Sequence, residues 1–522
     1  MLEDLGGRHG RYRHTDQVPR LFCIRCVRLR RWIDHSQSTG TKIARTAPDH
    51  GEVPGHSCRN DKPIVRRRRW RPESGSLRPF RWNDDHTKSK SNDRVQRHPI
   101  CYEFTTGKNE RKHANMDLWA EFSRSAKLSG IGVSEIIRIG AEARKLAETH
   151  QDVISLSAGE PDFPTPDNVK LAGINAILTN QTRYTALDGT AELKAAIRRK
   201  LKRENGLDYA ANEISIGAGA KQVLFNILMA TLDPGDEVIV PSPCWTTYLD
   251  MIRLAGGTAT MVPCSAEAGF RLSPKQLTAA LTSRTRWLLL NSPSNPTGAV
   301  YGAAHLAALA EVLRTAPGVG VISDEIYEHV LYDSAPFATM AAICPDIRPR
   351  VVIVNGVSKA YSMTGWRVGY AAAAPDIIAA MAVVQSQSSS NPCSISQVAA
   401  IEALDGPQDI ITERRDAFRR RRDRIVAGLN AIPHVHCLLP DGAFYAFADM
   451  RTLLARPELK RKDIADDTAL CRYFLHECHV ASVPGFCFGG PGYLRLSFAA
   501  SDRMIDDALE RMKAGVERLL KY

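Results

Sequence analysis

The sequence predicts an α/β protein: a large domain whose mostly parallel sheet is covered by helices, joined to a smaller α+β domain. Three observations predict it. From about residue 163, short apolar runs alternate with helical stretches, the pattern of strands buried on both faces of a parallel sheet. A long charged helical stretch over 409–430 then leads out of that alternation. Several polar residues also stand just past the ends of the apolar runs, where open α/β sheets bind ligands.

At 522 residues the chain has room for two or three domains with ample core. The net charge of +12 is unevenly spread: residues 1–115 hold about 26 Lys and Arg against about 13 Asp and Glu, and the remainder is close to neutral. That first fifth contains Arg66-Arg67-Arg68-Arg69 and lacks sustained helical or strand periodicity. It is expected to be a low-order extension, or a stretch translated from an upstream start, with patterning beginning at Met116. The alternative, a basic nucleic-acid-binding arm, is not favoured, and a helix-turn-helix pattern is absent. Cys23 and Cys26 lack a second Cys/His pair at finger-like spacing, so no metal is expected. The other cysteines are scattered singly among apolar segments, which suits reduced thiols in the cytoplasm. No apolar run is long enough to span a bilayer.

Taken in order, 136–147 reads as a helix and 153–156 as a strand ending at Gly159-Glu160-Pro161. Strands follow at 214–216, 237–240, 287–290, 319–322 and 351–354, with helices at 191–204 and 221–232 between them. In the 409–430 helix, Phe418, Ile425 and Leu429 supply a buried stripe, which leaves Arg419-Arg420-Arg421-Arg422 for a solvated face. Then come short strands at 443–446, 480–483 and 493–497, a helix at 466–477 and a closing amphipathic helix at 502–520. The large domain is expected over 163–410, and the small one from 116–162 together with 411–522.

The chain supplies an amine, a carboxylate, a phenol, an amide, a stacking ring and two guanidiniums, most of them just past strand ends: Lys359, Asp324, Tyr327, Asn295, Trp245, Arg367 and, within a strand, Arg495. Amine transfer through a phosphorylated pyridine aldehyde needs that set. The cofactor, pyridoxal phosphate, supplies the electron sink, and the protein supplies position and protonation. Lys359, beside Ser358 after an apolar strand, is the candidate for covalent attachment and for moving the Cα proton. Asp324 fits the partner that keeps a pyridine nitrogen protonated. Tyr327 and Asn295 are placed to donate to the ring oxygen, and Trp245 to cover the ring. The turn Gly219-Ala220-Lys221, between a strand and a helix, offers backbone N–H groups to a phosphate, with Arg367 as a charged fork. Arg495 is suited to a substrate α-carboxylate.

Residues from roughly 130 to 520 resemble the fold-type I, class I pyridoxal-phosphate aminotransferases, and look most like the bacterial aspartate aminotransferase-like branch. The segments that carry the resemblance are LSAGEPDFPTP, RYTALDG, GAGAKQVLFN, LDPGDEVIVPSPCW, NSPSNPTGAVY, ISDEIYEH, NGVSKAYSMTGWRVGY, DGAFYAF and LRLS. The resemblance implies an enzyme of amino acid metabolism that moves the amino group of an L-amino acid to a 2-oxo acid in two half-reactions. It implies the same roles for the residues past the strand ends, with Gly159 lying against the substrate. It also implies a homodimer with shared sites, in which Tyr184 reaches the phosphate of the partner subunit's cofactor. Lys221 is similar to the group that binds a distal carboxylate in that branch, which implies aspartate or glutamate. Gly132, Val133 and Ile136 replace a Lys-Pro-Ser-x-Thr run, and Ile136 admits an apolar or aromatic side chain instead. A carbon–sulfur lyase or decarboxylase on the same fold, and a non-catalytic regulator, are the alternatives.

Overall fold

The structure, a computed structural model, describes residues 125–149, 152–332 and 336–521. The basic stretch at Arg66–Arg69 and the Cys23/Cys26 pair lie outside the described residues, as does the rest of the region before residue 125.

The larger sheet has seven strands: β1 (Ile214–Gly217), β2 (Glu237–Ser242), β3 (Thr258–Pro263), β4 (Thr285–Asn291), β5 (Gly320–Asp324), β6 (Val351–Gly356) and β7 (Gly369–Ala372). Their order is β1-β7-β6-β5-β4-β2-β3. All pairs are parallel except those made by β7, which runs against both β6 and β1. Alternation along each strand sends side chains to two cores. Leu288, Leu290, Val321 and Ile353 pack on one face, and Leu289, Ile322 and Val352, in register across β4, β5 and β6, pack on the other. Apolar residues are therefore continuous along these strands, which is the pattern that revealed them.

The smaller sheet is antiparallel: β8 (His436–Cys437), β9 (Tyr445–Asp449), β10 (Val483–Pro484) and β11 (Tyr493–Ser497), in the order β10-β11-β9-β8. A separate core built on Leu494, Leu496, Phe444, Phe474 and Met512 lies against it, and Tyr327, Val330 and Tyr332 reach into that core from the segment after β5. The strand expected at 480–483 divides: Val480–Ala481 pairs in parallel with Ile154–Ser155, while Val483 pairs with Arg495.

Five helices bear on the site and its supports: α1 (Glu135–Thr149), α2 (Asp167–Leu178), α3 (Ala220–Thr231), α4 (Asp409–Asn430) and α5 (Asp502–Leu520). α5 opens on Ser501, whose side chain accepts from Met504 N. One expectation for α4 fails. Arg421 and Arg422 are buried, not solvated. The apolar stripe is too narrow for the surface α4 covers. Arg421 extends it by pairing with Asp162 and Asp502, and Arg422 by lying 4.7 Å from the centre of the Tyr332 ring and pairing with Asp423.

Candidate active site

The carboxyl ends of β1, β2, β4, β5 and β6 point the following turns at one cavity of about 370 Å³. Gly159, Ala220, Lys221, Trp245, Asn295, Asp324, Tyr327, Ser358, Lys359, Arg367 and Arg495 all line it. These come from segments up to 336 residues apart in sequence, counting from Gly159 to Arg495. Tyr184 does not join them. Its side chain is 91% exposed, and it borders a surface depression with Arg183, Ser390 and Cys393.

Asp324, which lines the cavity, terminates β5 and is buried. Its Oδ2 accepts from Tyr248 Oη at 2.6 Å and its Oδ1 accepts from Ile326 N at 3.3 Å. Burial pushes its carboxyl up to about 6, against the Tyr248 hydrogen bond that favours the anion. Lys359 Nζ donates to Gly159 O at 2.6 Å. Desolvation brings its ammonium down to about 8, opposed by the Glu160 carboxylate and reinforced by the positive charges of Arg495 and Arg367.

Arg495, in the middle of β11, is 1% exposed. It donates Nη1 to Asn295 Oδ1 at 3.1 Å and Nη2 to Ser157 O at 2.6 Å, and it lies 4.6 Å from the Tyr445 ring centre. Its buried Nε has no partner, and no carboxylate among the described residues pairs with it. A buried guanidinium in that state is an incomplete site for an anion. Because Asn295 Oδ1 is taken by Arg495, its Nδ2 is the end left to donate.

At the start of α3, Gly219 has φ 86°, a left-handed conformation that favours glycine. A β-carbon there would sit 2.4 Å from Arg367 Nη2. The N–H groups of Ala220 and Lys221 find no acceptor among the described residues, because α3 has no side-chain cap. Gly369 of β7 has the matching role: a β-carbon on it would fall 2.2 Å from Ala220 N. Two glycines thus let Arg367 and a helix N-terminus come together, an arrangement that suits a phosphate. Lys221 Nζ lies 4.7 Å from the centre of the Trp245 ring, and burial together with the charge of Arg367 pulls its ammonium down.

Several cavity residues carried no sequence signal of their own. Tyr248 orients Asp324, and Tyr445 hydrogen-bonds Tyr327 between hydroxyls at 2.7 Å. Asn291 Oδ1 accepts from Asn295 N at 2.8 Å, and its Nδ2 donates to Asp324 O at 3.0 Å. Tyr445 belongs to the DGAFYAF segment, but only the fold shows what it touches. Ile136, singled out in the sequence, does line the cavity from near the start of α1.

The family model for aminotransferase class I and II matches residues 151–512. Aspartate aminotransferase of Rhizobium meliloti is 51% identical over 400 residues, covering 77% of this chain and 98% of that protein. Aspartate/prephenate aminotransferase of Cereibacter sphaeroides is 49% identical over 390 residues, covering 75% and 98%. Among solved structures, the Rhizobium meliloti aspartate aminotransferase superposes with a TM-score of 0.74, covering 76% of this chain and 99% of that one. The Thermus thermophilus aspartate aminotransferase with maleate, 40% identical, superposes with a TM-score of 0.70 over 75% and 99%.

A cavity at the strand ends of a fold-type I sheet, with a desolvated lysine near a buried aspartate, defines a pyridoxal-phosphate enzyme. The chain belongs to the class I and II aminotransferases, in their aspartate aminotransferase-like branch, and it is a pyridoxal-phosphate-dependent transaminase. The residues present fit the cofactor: the glycine cradle with free N–H groups and Arg367 suits its phosphate, and the depressed amine of Lys359 suits its aldehyde.

Proposed function

We propose that the enzyme transfers the amino group of a dicarboxylic L-amino acid, aspartate or glutamate, to a 2-oxo acid. The observation that carries this reading is a pair of cations in one cavity, Arg495 and Lys221, without carboxylate partners among the described residues, one for each carboxylate of the substrate. The names of the relatives, aspartate and aspartate/prephenate aminotransferases, support it.

When bound, pyridoxal phosphate supplies an aldehyde that accepts the amino group and a pyridine ring that takes up the electrons of the bond broken at Cα. Gly219, Ala220, Ser358 and Arg367 would hold its phosphate, and Trp245 would cover the ring. Lys359 would hold its aldehyde, and Asp324, oriented by Tyr248, would hold a proton at the ring nitrogen. Asn295 and Tyr327 would donate to the ring oxygen. Arg495 would hold the α-carboxylate with its guanidinium fork and turn the Cα–H bond toward Lys359 Nζ, the amine placed to move that proton. Gly159 lies against the substrate.

The uncharged amine is the form that attacks an aldehyde. With Lys359 titrating at about 8, its uncharged fraction rises about fivefold between pH 7 and pH 8 and levels off above roughly pH 9. The rate at which cofactor-free protein takes up pyridoxal phosphate, followed by absorbance, is expected to trace that curve. A lysine at its ordinary value would still be climbing about tenfold per unit at pH 9.

Lys221→Ala is expected to cut kcat/KM for aspartate and glutamate by about 10- to 100-fold, the worth of a charged hydrogen bond, with little change for alanine or phenylalanine. A donor-by-acceptor activity matrix of wild type and variant checks this. Equal losses on all donors would assign Lys221 to the phosphate loop and remove the basis for an acidic substrate.

The reading extends to a homodimer. Leu171, Ile174 and Leu178 form an exposed apolar stripe on α2, and Tyr184, fully out of its own cavity, is available to a partner subunit's cofactor. The two sheets and their cores support a cofactor-holding large domain at 163–410 and a small domain from 116–162 with 411–522. The described cysteines are unpaired thiols, six of them buried, which supports a cytoplasmic enzyme. No helix among the described residues is long and apolar enough to cross a membrane. Biosynthesis of amino acids is the role this activity suits.

A further inference from the structure

Segment 159–165 carries Gly159, the acceptor of the Lys359 ammonium, and it is fastened to the lysine loop at 358–367 by contacts that the proposed reaction does not use. Thr364 Oγ1 donates to Glu160 Oε1. Thr165 Oγ1 donates to Ser362 O at 2.8 Å and accepts from Trp366 Nε1 at 3.1 Å. Behind them, α4 presents Arg414, Phe418 and Arg421, spaced four and three residues apart and therefore on one face. All three are buried.

Phe163 enters the slot between them. Its ring meets Phe418 edge-on at 5.3 Å between centroids, and the guanidinium carbons of Arg414 and Arg421 lie 5.5 and 4.9 Å from its centre. Arg414 spans both loops with one fork: Nη2 donates to Pro164 O at 2.5 Å, and Nη1 donates to Ala360 O, next to Lys359, at 3.1 Å. Arg421 secures the other side, donating Nη1 to Asp162 Oδ1 at 2.8 Å and Nε to Asp502 Oδ1 at 3.1 Å. Both carbonyls that Arg414 bridges are backbone acceptors, and each is met by a different nitrogen of one planar fork. A lysine would bring a single nitrogen on a shorter side chain.

We propose that Arg414 is a positioning residue for substrate binding: with Arg421 it clamps segment 159–165 onto the lysine loop, so that Gly159 is held in place before the substrate arrives. The inference rests on the proposed roles of Lys359, Gly159 and Arg495. Without the clamp, substrate binding itself must order the segment, and that cost appears in affinity. The turn at 219–221 and Asp324 keep supports outside the clamp, Tyr248 and the N-terminus of α3 among them, so the groups that suit the phosphate and the ring nitrogen are spared.

The test compares holoenzymes. Arg414→Lys keeps the charge but replaces the two-nitrogen fork with one nitrogen on a shorter side chain, which weakens the bridge. It is expected to raise KM for the amino donor about tenfold, and to raise the Kd of maleate, read from the cofactor's absorbance, by about the same factor. kcat stays within about twofold, and the cofactor Kd is unchanged. Asp162→Asn, at the other end of the clamp, is expected to raise KM about threefold. The double variant is expected to lose less than the product of the two, because both act on one segment. An unchanged KM in Arg414→Lys would overturn the proposal. So would cofactor affinity falling in parallel with KM, the mark of general damage. If Arg414→Lys does not fold, Asp162→Asn decides by the same two readouts. Failure of the underlying assignment shows separately: borohydride reduction and peptide mapping would then find the cofactor on a lysine other than Lys359.

Discussion

Lys359→Ala is expected to lower transamination by at least about 10⁴-fold, with the protein still folded and still able to bind pyridoxal phosphate non-covalently. Two functions disappear with one side chain. Covalent attachment is lost, and so is the amine that carries the Cα proton, a step for which a positioned base contributes about 10²- to 10⁴-fold. Folding should survive, because the hydrogen bond Lys359 makes is to the backbone of Gly159. Its depressed ammonium shows that the site does not favour the charge. The measurement is a purified variant assayed for activity, scanned for the visible band of the attached cofactor and checked by mass spectrometry. A variant that keeps colour and turnover would remove Lys359 from the mechanism.

Asp324→Asn is expected to cost about 10³-fold in kcat while leaving the cofactor-free protein as stable as wild type or more so. The sign follows from burial. The Asp324 carboxyl titrates at about 6 in the fold, against about 3.9 in an unfolded chain, so the folded state binds the proton more tightly. Below about pH 4 both states are protonated and the group is neutral to stability. Above about pH 6 the buried anion costs the cofactor-free protein roughly 3 kcal/mol. Asparagine removes that cost and keeps the oxygen that accepts from Tyr248. It cannot hold a proton at the ring nitrogen, so catalysis falls. Thermal unfolding of cofactor-free wild type and variant at pH 5 and pH 8, together with kcat, separates the two effects. A variant destabilised at both pH values with unaltered kcat would make Asp324 a structural residue.

Much of the fold was legible because its signals are local. The closing helix α5 and the strand β11 run over the residues expected of them, since amphipathic and alternating patterns are complete within each segment. The strand ends were legible for the same reason, and with them Asp324 and Lys359. The arginine run of α4 was not. Counting charges placed Arg421 and Arg422 in water, whereas Asp162 and Asp502, hundreds and tens of residues away, take Arg421 inside. The apolar run at 480–483 likewise looked like one strand, because its pattern does not encode that Val480 pairs with Ile154 and Val483 with Arg495.

Residue types in their order along the chain were sufficient to determine the chemistry: a lysine, an aspartate, an arginine and a glycine turn after successive strands, with a second arginine inside one, leave few cofactors that need them all. The tertiary structure alone decided how those groups are tuned. Tyr248 reaches Asp324 across 76 residues and Tyr445 reaches Tyr327 across 118. The desolvation that moves Lys359 and Asp324 toward each other's titration range comes from cores assembled out of distant segments. Periodicity is a property of neighbours in sequence, whereas burial and hydrogen-bond partners are properties of neighbours in space.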